Sequence, residues 1–177
     1  AMLENLPNQI YTFRAQDSKR DDQTGRITPS DYSQDHSGLL TELSLAVGAR
    51  VMLNKNIDVQ DGLVNSAAGI VAGFLPPPSP DTPSDQYLPK YILVQFNDER
   101  VGKKCRLSSS KLLPPTQQHS TPIARMETQL RLGRSSKVTS KRLQFPLTPA
   151  WAVTIHKEQG KTEDQLVVST RGTFNPE

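Results

Sequence analysis

With 177 residues the chain is long enough to bury a core without disulfides, and its single cysteine, Cys105, excludes an internal bridge. Hydrophobic residues make up 34% against 14 prolines and 10 glycines, so much of the chain is expected in loops, and no apolar run approaches the ~18 residues of a membrane-spanning helix. The net charge of +3 is uneven: residues 1–39 carry four Lys/Arg against six Asp/Glu, residues 40–147 fourteen against eight, and residues 148–177 three against four.

Histidines 36, 119 and 156 lie too far apart for metal-ligand spacing, so no metal site is expected. The lone thiol and the lack of a charged-then-apolar leader point to a reducing, intracellular setting with no membrane partner.

Taken in order, Ile10-Tyr11-Thr12-Phe13 has the β-branched and aromatic content of a strand. Residues 17–37 are polar and charged, with Gly25 and Pro29, and are expected to form a loop that adds little to the core. Between Leu43 and Phe74, Ala49–Leu53 and Gly69–Phe74 read as two strands joined by a polar, structured connection from Asp58 to Asn65. Gly62 and Gly69 are expected at turns that need positive φ. Five prolines between Pro76 and Pro83 rule out a central strand and predict an extended tip between two strands. Tyr91–Phe96 is the strongest strand signal in the chain, Asn97-Asp98 a turn, and Lys103–Leu107 its expected returning partner. Short strands at this spacing predict a small barrel.

Between Arg100 and Phe145 there are eleven basic residues and one acid, Glu127, which marks either a solvated face or a polyanion-binding surface. Within it, Ala124–Leu132 has the pattern of a short helix. Pro149 can start a helix that Gly160 would stop, and Leu166-Val167-Val168 reads as a buried strand, so the end of the chain predicts an α/β arrangement.

The densest chemistry is Thr154-Ile155-His156-Lys157-Glu158-Gln159-Gly160-Lys161-Thr162, which sets hydroxyls, an imidazole, ammonium groups and an amide between two apolar runs. Its Gly-Lys-Thr end invites comparison with a P-loop. That loop needs a further glycine at the position of Ile155, because backbone N–H groups turn onto phosphate through glycine-permitted dihedrals that a β-branched residue resists. The P-loop reading fails there. Hydroxyl and cationic donors in this pattern suit phosphodiester oxygens.

Two ordered blocks resemble a known family. Leu45–Leu53, Asn56, Gly62-Leu63-Val64-Asn65 and Gly69, then, after a variable stretch, Leu147, Ala150-Trp151-Ala152, Thr154-Ile155-His156-Lys157, Gln159-Gly160 and Thr162, resemble the C-terminal part of the petite-integration-frequency (Pif) DNA helicases, in the RecD-like branch of superfamily 1B. The resemblance implies a mixed α/β and β fold, a RecA-like α/β domain interrupted by a small SH3-like β-barrel. Residues 1–39 and 148–177 would be the RecA-like pieces and residues 40–147 the inserted barrel with its proline-rich and basic loops. It implies DNA contact through Thr154, His156 and Lys157, with Arg50 and Lys55 adding contacts from the barrel, and nucleotide coupling through Gln159, Gly160 and Thr162. Ser66 stands where the family pattern has glycine, and Glu158 where it has a small residue.

The chain carries no P-loop and no Walker-B acidic pair. ATP and Mg²⁺ are therefore expected to belong to the intact helicase, with no catalytic residue and no bound cofactor in this stretch. The implied partners are single-stranded or forked DNA and an N-terminal RecA-like motor domain. The implied setting is DNA repair or recombination in the nucleus, with the mitochondrion as the alternative. A competing reading is a protein-interaction module whose basic and proline-rich loops dock a partner.

Overall fold

A computed structural model describes residues 6–21, 24–30, 38–79, 81, 83–84, 86–109, 111, 113, 115–130 and 138–150. Eleven strands and one short α-helix appear among them: β1 (Tyr11–Arg14), β2 (Gln16–Asp21), β3 (Ile27–Ser30), β4 (Glu42–Leu45), β5 (Arg50–Leu53), β6 (Ala68–Leu75), β7 (Tyr91–Phe96), α1 (Lys103–Ser109), β8 (Thr121–Ala124), β9 (Met126–Leu130), β10 (Val138–Gln144) and β11 (Leu147–Pro149). They form three antiparallel sheets ordered β1-β4, β3-β2-β10-β9 and β11-β5-β6-β7-β8.

Apolar alternation sets the central packing. Tyr11 and Phe13 on β1 lie opposite Leu45 and Leu43 on β4, so all four side chains share one face and are buried. They join Val51 and Leu53 of β5, Val71 and Phe74 of β6, and Ile92, Val94 and Phe96 of β7 in one core cluster. Five aromatic rings close it in edge-to-face contacts, among them Tyr11–Tyr87 at 5.1 Å, Tyr11–Phe74 at 5.4 Å and Phe13–Phe145 at 5.7 Å between centroids. Burial, with Tyr11 nearby, pushes the Tyr87 phenol up to about 12, and its hydroxyl donates to the Pro76 carbonyl at 2.5 Å. The proline-rich connection is thereby tied to the core at its base, and it joins β6 to β7 as its composition predicts.

Several expectations are corrected. Residues 17–37 hold β2 and β3 rather than a loop alone, and Asp17 on β2 is part of the interior. Lys103–Leu107 falls within α1, and the strand that returns along β7 is β8. Where a helix is expected over 124–132, the described residues end β8 at Ala124 and form β9 at Met126–Leu130, and Pro149 closes β11 rather than opening a helix. Gly62 has φ +71°, as expected of a turn, but Gly69 lies inside β6. A Cβ on Gly69 would sit 2.5 Å from the Gln95 carbonyl oxygen, so its role is close backbone approach across the sheet. Among the described residues no pairing joins β11 to β8, so the five-stranded sheet is open and no closed barrel is present. The helix and strand expected between 150 and 168 fall outside the described residues.

Why β2 forms where composition argues for a loop is seen in its partner. Arg142 on β10 pairs with Asp17 through two hydrogen bonds, Nε to Oδ1 at 2.8 Å and Nη2 to Oδ2 at 2.7 Å, and its Nη1 donates to the Leu39 carbonyl at 3.1 Å. The two side chains are only 2% and 6% exposed. Next to it, buried Gln144 donates to the Phe13 carbonyl and accepts the Phe145 N–H, both at 2.9 Å, which fixes β10 to β1. Removing one member of a buried pair strands the other charge in a medium that solvates it poorly, a penalty of about 3–5 kcal/mol. Asp17→Ala and Arg142→Ala are each expected to lower stability by about that amount. Urea unfolding checks this, and a loss below about 1 kcal/mol, the range of an exposed pair, would refute a structural role.

Candidate nucleic-acid interface

β5 and the start of the connection after it carry the two cations nominated from the barrel region. Arg50 opens the strand with its side chain exposed, and its carbonyl accepts the Ala150 N–H at 2.9 Å. The described chain therefore ends beside Arg50. Lys55 lies beyond the other end of β5, half-buried, with Nζ 3.6 Å from where a Cβ on Gly38 would stand. Arg50 and Lys55 thus sit at opposite ends of one strand instead of side by side. Thr154, His156, Lys157, Gln159, Gly160 and Thr162 lie outside the described residues, as does Trp151.

The connection from β5 to β6 is heavily braced. Asp58 and Leu63 exchange backbone hydrogen bonds of 3.2 and 2.8 Å, and the Asn56 side chain accepts the Asn65 N–H at 2.7 Å. Asp58 Oδ1 accepts the N–H groups of Gln60 and Asp61, and the Ser66 N–H donates to the Leu53 carbonyl at 2.8 Å. To make that last bond the chain turns through φ +72° at Ser66, in the left-handed region where a side chain is strained.

Asp61, at the far side of this connection, is buried and organises α1 from 43 residues away. Its carboxylate accepts the N–H groups of Lys104 at 2.8 Å and Cys105 at 2.9 Å, and its carbonyl accepts that of Gly102 at 2.7 Å. The first turn of α1 is thus satisfied by a distant carboxylate, as an N-cap side chain would do locally. Gly102 has φ +71°, and a Cβ there would lie 2.5 Å from Thr121 Oγ1, so the tight approach of α1 to β8 requires glycine. Burial pushes the Cys105 thiol up, against a partial offset from a hydrogen bond with Ser109, which makes it a poor nucleophile.

The described cations of residues 100–145 do not form one surface. Arg142 is interior, and Lys141 pairs with Glu127 at 2.6 Å. Arg100 binds both oxygens of Asp98, whose carboxyl is held down to about 2 by that side-chain hydrogen bond and by the Arg100 N–H. Arg106 donates to the Val101 carbonyl at 2.6 Å, to Thr121 Oγ1 at 3.1 Å and to the Glu99 carbonyl. Lys103 and Lys104 remain exposed on the first turn of α1. Reading Lys103–Leu107 as a strand hid this arrangement, because the cap that makes the helix lies in another part of the chain.

Comparison with known proteins places this geometry. Residues 35–74, which include β4, β5 and the braced connection, match the family model for the DNA helicase Pif1 2B domain. Over 172 residues, 97% of this chain, it is 34% identical to the ATP-dependent DNA helicase PIF1 of Danio rerio and 29% identical to that of Homo sapiens. The chain spans 21% of the length of each of these relatives. In fold it is similar to Pif1 from Bacteroides sp. in complex with ADP-AlF4, with a TM-score of 0.52 and 22% identity over 95% of this chain and 30% of that one. It is likewise similar to Pif1 helicase from Candida albicans, with a TM-score of 0.51 and 24% identity over 91% of this chain and 33% of that one.

Ser66, where the family pattern has glycine, is the residue the structure shows in a glycine conformation. Ser66→Gly is expected to raise stability by about 0.5–1 kcal/mol, the relief of left-handed strain less the added entropy of the unfolded chain. Thermal unfolding should show a midpoint higher by a few degrees. A lower midpoint would show that the serine side chain compensates for the strain.

Proposed function

We infer that this chain, which belongs to the Pif1 helicase family, supplies part of the single-stranded DNA track of an ATP-driven helicase moving 5′ to 3′. Thr154, His156 and Lys157 contact or orient the DNA backbone, Arg50 and Lys55 add contacts from the inserted region, and Gln159, Gly160 and Thr162 relay nucleotide state. Residues 40–147 are the SH3-like insertion, with residues 1–39 and 148–177 as the RecA-like pieces on either side.

The observation that carries this reading is the way the flanks meet. An inserted domain leaves and re-enters its host at neighbouring points. Here the Leu39 carbonyl, at the proposed departure, is bonded to Arg142, close to the proposed return, and β2 runs beside β10 over six residue pairs. Ala150, which follows β11, donates its N–H to the carbonyl of the exposed Arg50 at 2.9 Å.

Neither the sequence pattern at 155–162 nor the described residues fit a site for ATP or Mg²⁺. Ile155 stands where a triphosphate loop needs glycine, and among the described residues no three His, Cys, Asp or Glu side chains gather to hold a cation. In this proposal nucleotide and metal belong to an N-terminal RecA-like motor domain. Of the similar structures, one is a Bacteroides Pif1 bound to ssDNA, with a TM-score of 0.51 and 22% identity.

Two measurements test the reading. The 177-residue chain should bind a mixed-sequence single strand weakly in fluorescence anisotropy, with affinity falling steeply as salt rises, because phosphate contacts supply most of the binding. The His156→Ala/Lys157→Ala variant should bind about tenfold less tightly, as expected for the loss of contacts worth about 1–2 kcal/mol. Unchanged binding would remove segment 154–162 from the track. The chain should hydrolyse no ATP, and turnover abolished by Lys161→Ala would overturn the assignment of nucleotide to another domain.

A further inference from the structure

The surface of α1 offers a site that segment 154–162 does not need. Two depressions, of about 420 and 610 Å³, lie against the start of the helix and share Arg100 and Lys103. Gln60, Lys104 and Ser108 line the smaller one, whereas Gln95, Arg106 and His119 line the larger. Arg100 and Lys103 line both, so the two depressions adjoin at the first turn of α1, and together they make an extended track rather than a pocket for one small ion.

The acids at this track are outnumbered: Asp61, Asp98 and Glu99 stand against Arg100, Lys103, Lys104 and Arg106, and Asp61 keeps its charge. Asp61 turns both carboxylate oxygens onto backbone N–H groups of α1, and both oxygens of Asp98 take the Arg100 guanidinium. Glu99 remains on the rim of the larger depression. Arg106 donates to neutral oxygens, so its charge is uncancelled, and among the described residues neither Lys103 nor Lys104 has an ion pair. With Asp61 occupying the first turn, attraction for an anion comes from these side chains and not from the helix end.

We propose that this track, centred on Lys103 and Lys104, is a second phosphodiester-binding surface that holds single-stranded DNA at the β7–β8 side of the sheet. Arg50 lies on β5, three strands from β8, roughly 14 Å across the sheet at ordinary strand spacing. The two contacts are therefore separate anchors for one strand. Gln60, Ser108, Gln95 and Gln118 supply neutral donors along the track, which suits sequence-tolerant backbone contact. This site does not require the role proposed for residues 154–162.

The experiment uses the whole chain and its Lys103→Glu/Lys104→Glu variant, titrated against a 30-nucleotide mixed-sequence single strand and against a glutamate-rich peptide. The variant should bind the oligonucleotide at least tenfold more weakly, and its slope of log affinity on log salt should be shallower by about 1.4, two contacts' worth. Because both lysines are exposed, its melting midpoint should match the parent, which separates lost binding from lost folding. The His156→Ala/Lys157→Ala variant should keep a residual affinity that the combined four-site variant loses. Loss in the His156/Lys157 variant with parental binding in the Lys103/Lys104 variant would overturn this site alone, and the reverse would support it alone. Loss of peptide binding with oligonucleotide binding unchanged would assign the track to an acidic protein segment and overturn the proposal.

Discussion

The Arg142–Asp17 pair is the constraint on which the arrangement of sheets depends. Two charges at 2% and 6% exposure must satisfy one another, and they do so through a planar, two-bond fit supplemented by the Leu39 carbonyl. The fit fixes the register of β2 on β10. β10 in turn carries β9, and its last residue, Gln144, bonds to β1. A slip of one residue would point Arg142 to the opposite face and leave Asp17 buried alone. An ion pair of this kind adds little net stability compared with apolar packing, but it strongly penalises wrong pairings. That suits a place where distant parts of the chain must be joined at one address.

A second long-range device fixes the other side of the molecule. The connection between β5 and β6 is rigid through its own hydrogen bonds, and that rigidity lets Asp61 serve as a fixed carboxylate for α1. Ser66 accepts a strained backbone so that its N–H reaches the Leu53 carbonyl and closes the connection. Strain there, tight approach at Gly102 and the cap on α1 belong to one assembly, because moving the connection would uncover the helix's first N–H groups. The exposed lysines of α1 are thereby presented in a defined direction.

What could be read from the sequence follows from how local each cause is. The strands at Tyr11–Phe13, Arg50–Leu53, Ala68–Leu75 and Tyr91–Phe96 are visible because their own β-branched, aromatic and alternating residues generate them. β2 is not, since its Gln-Asp-Ser-Lys-Arg-Asp composition argues for a loop, and the reason it is a strand sits 125 residues away in Arg142. α1 was hidden likewise by a cap from Asp61, and β9 by a partner strand, β10, that its own residues do not announce. Gly69 was legible as special but for the wrong reason: only the neighbouring strand shows that space, not φ, demands glycine. Of the candidate site, Arg50 and Lys55 were recognisable as cations of β5 and its connection, while their separation to opposite ends depended on where the strand stops.

Charge counts behave the same way. Eleven basic residues in one segment read as either a solvated face or a polyanion-binding surface, yet among the described ones the fold turns one into the interior, engages two with acids and sets another against carbonyl groups. Electrostatic recognition depends on charges that remain uncompensated and point in one direction, because a pair at contact distance has almost no field a Debye length away. Lys103 and Lys104 are exposed on the first turn of α1, and neither has an ion pair among the described residues. A basic segment becomes a binding surface only after the interior and the local acids have taken their share. What is left is set by topology rather than by the number of cations.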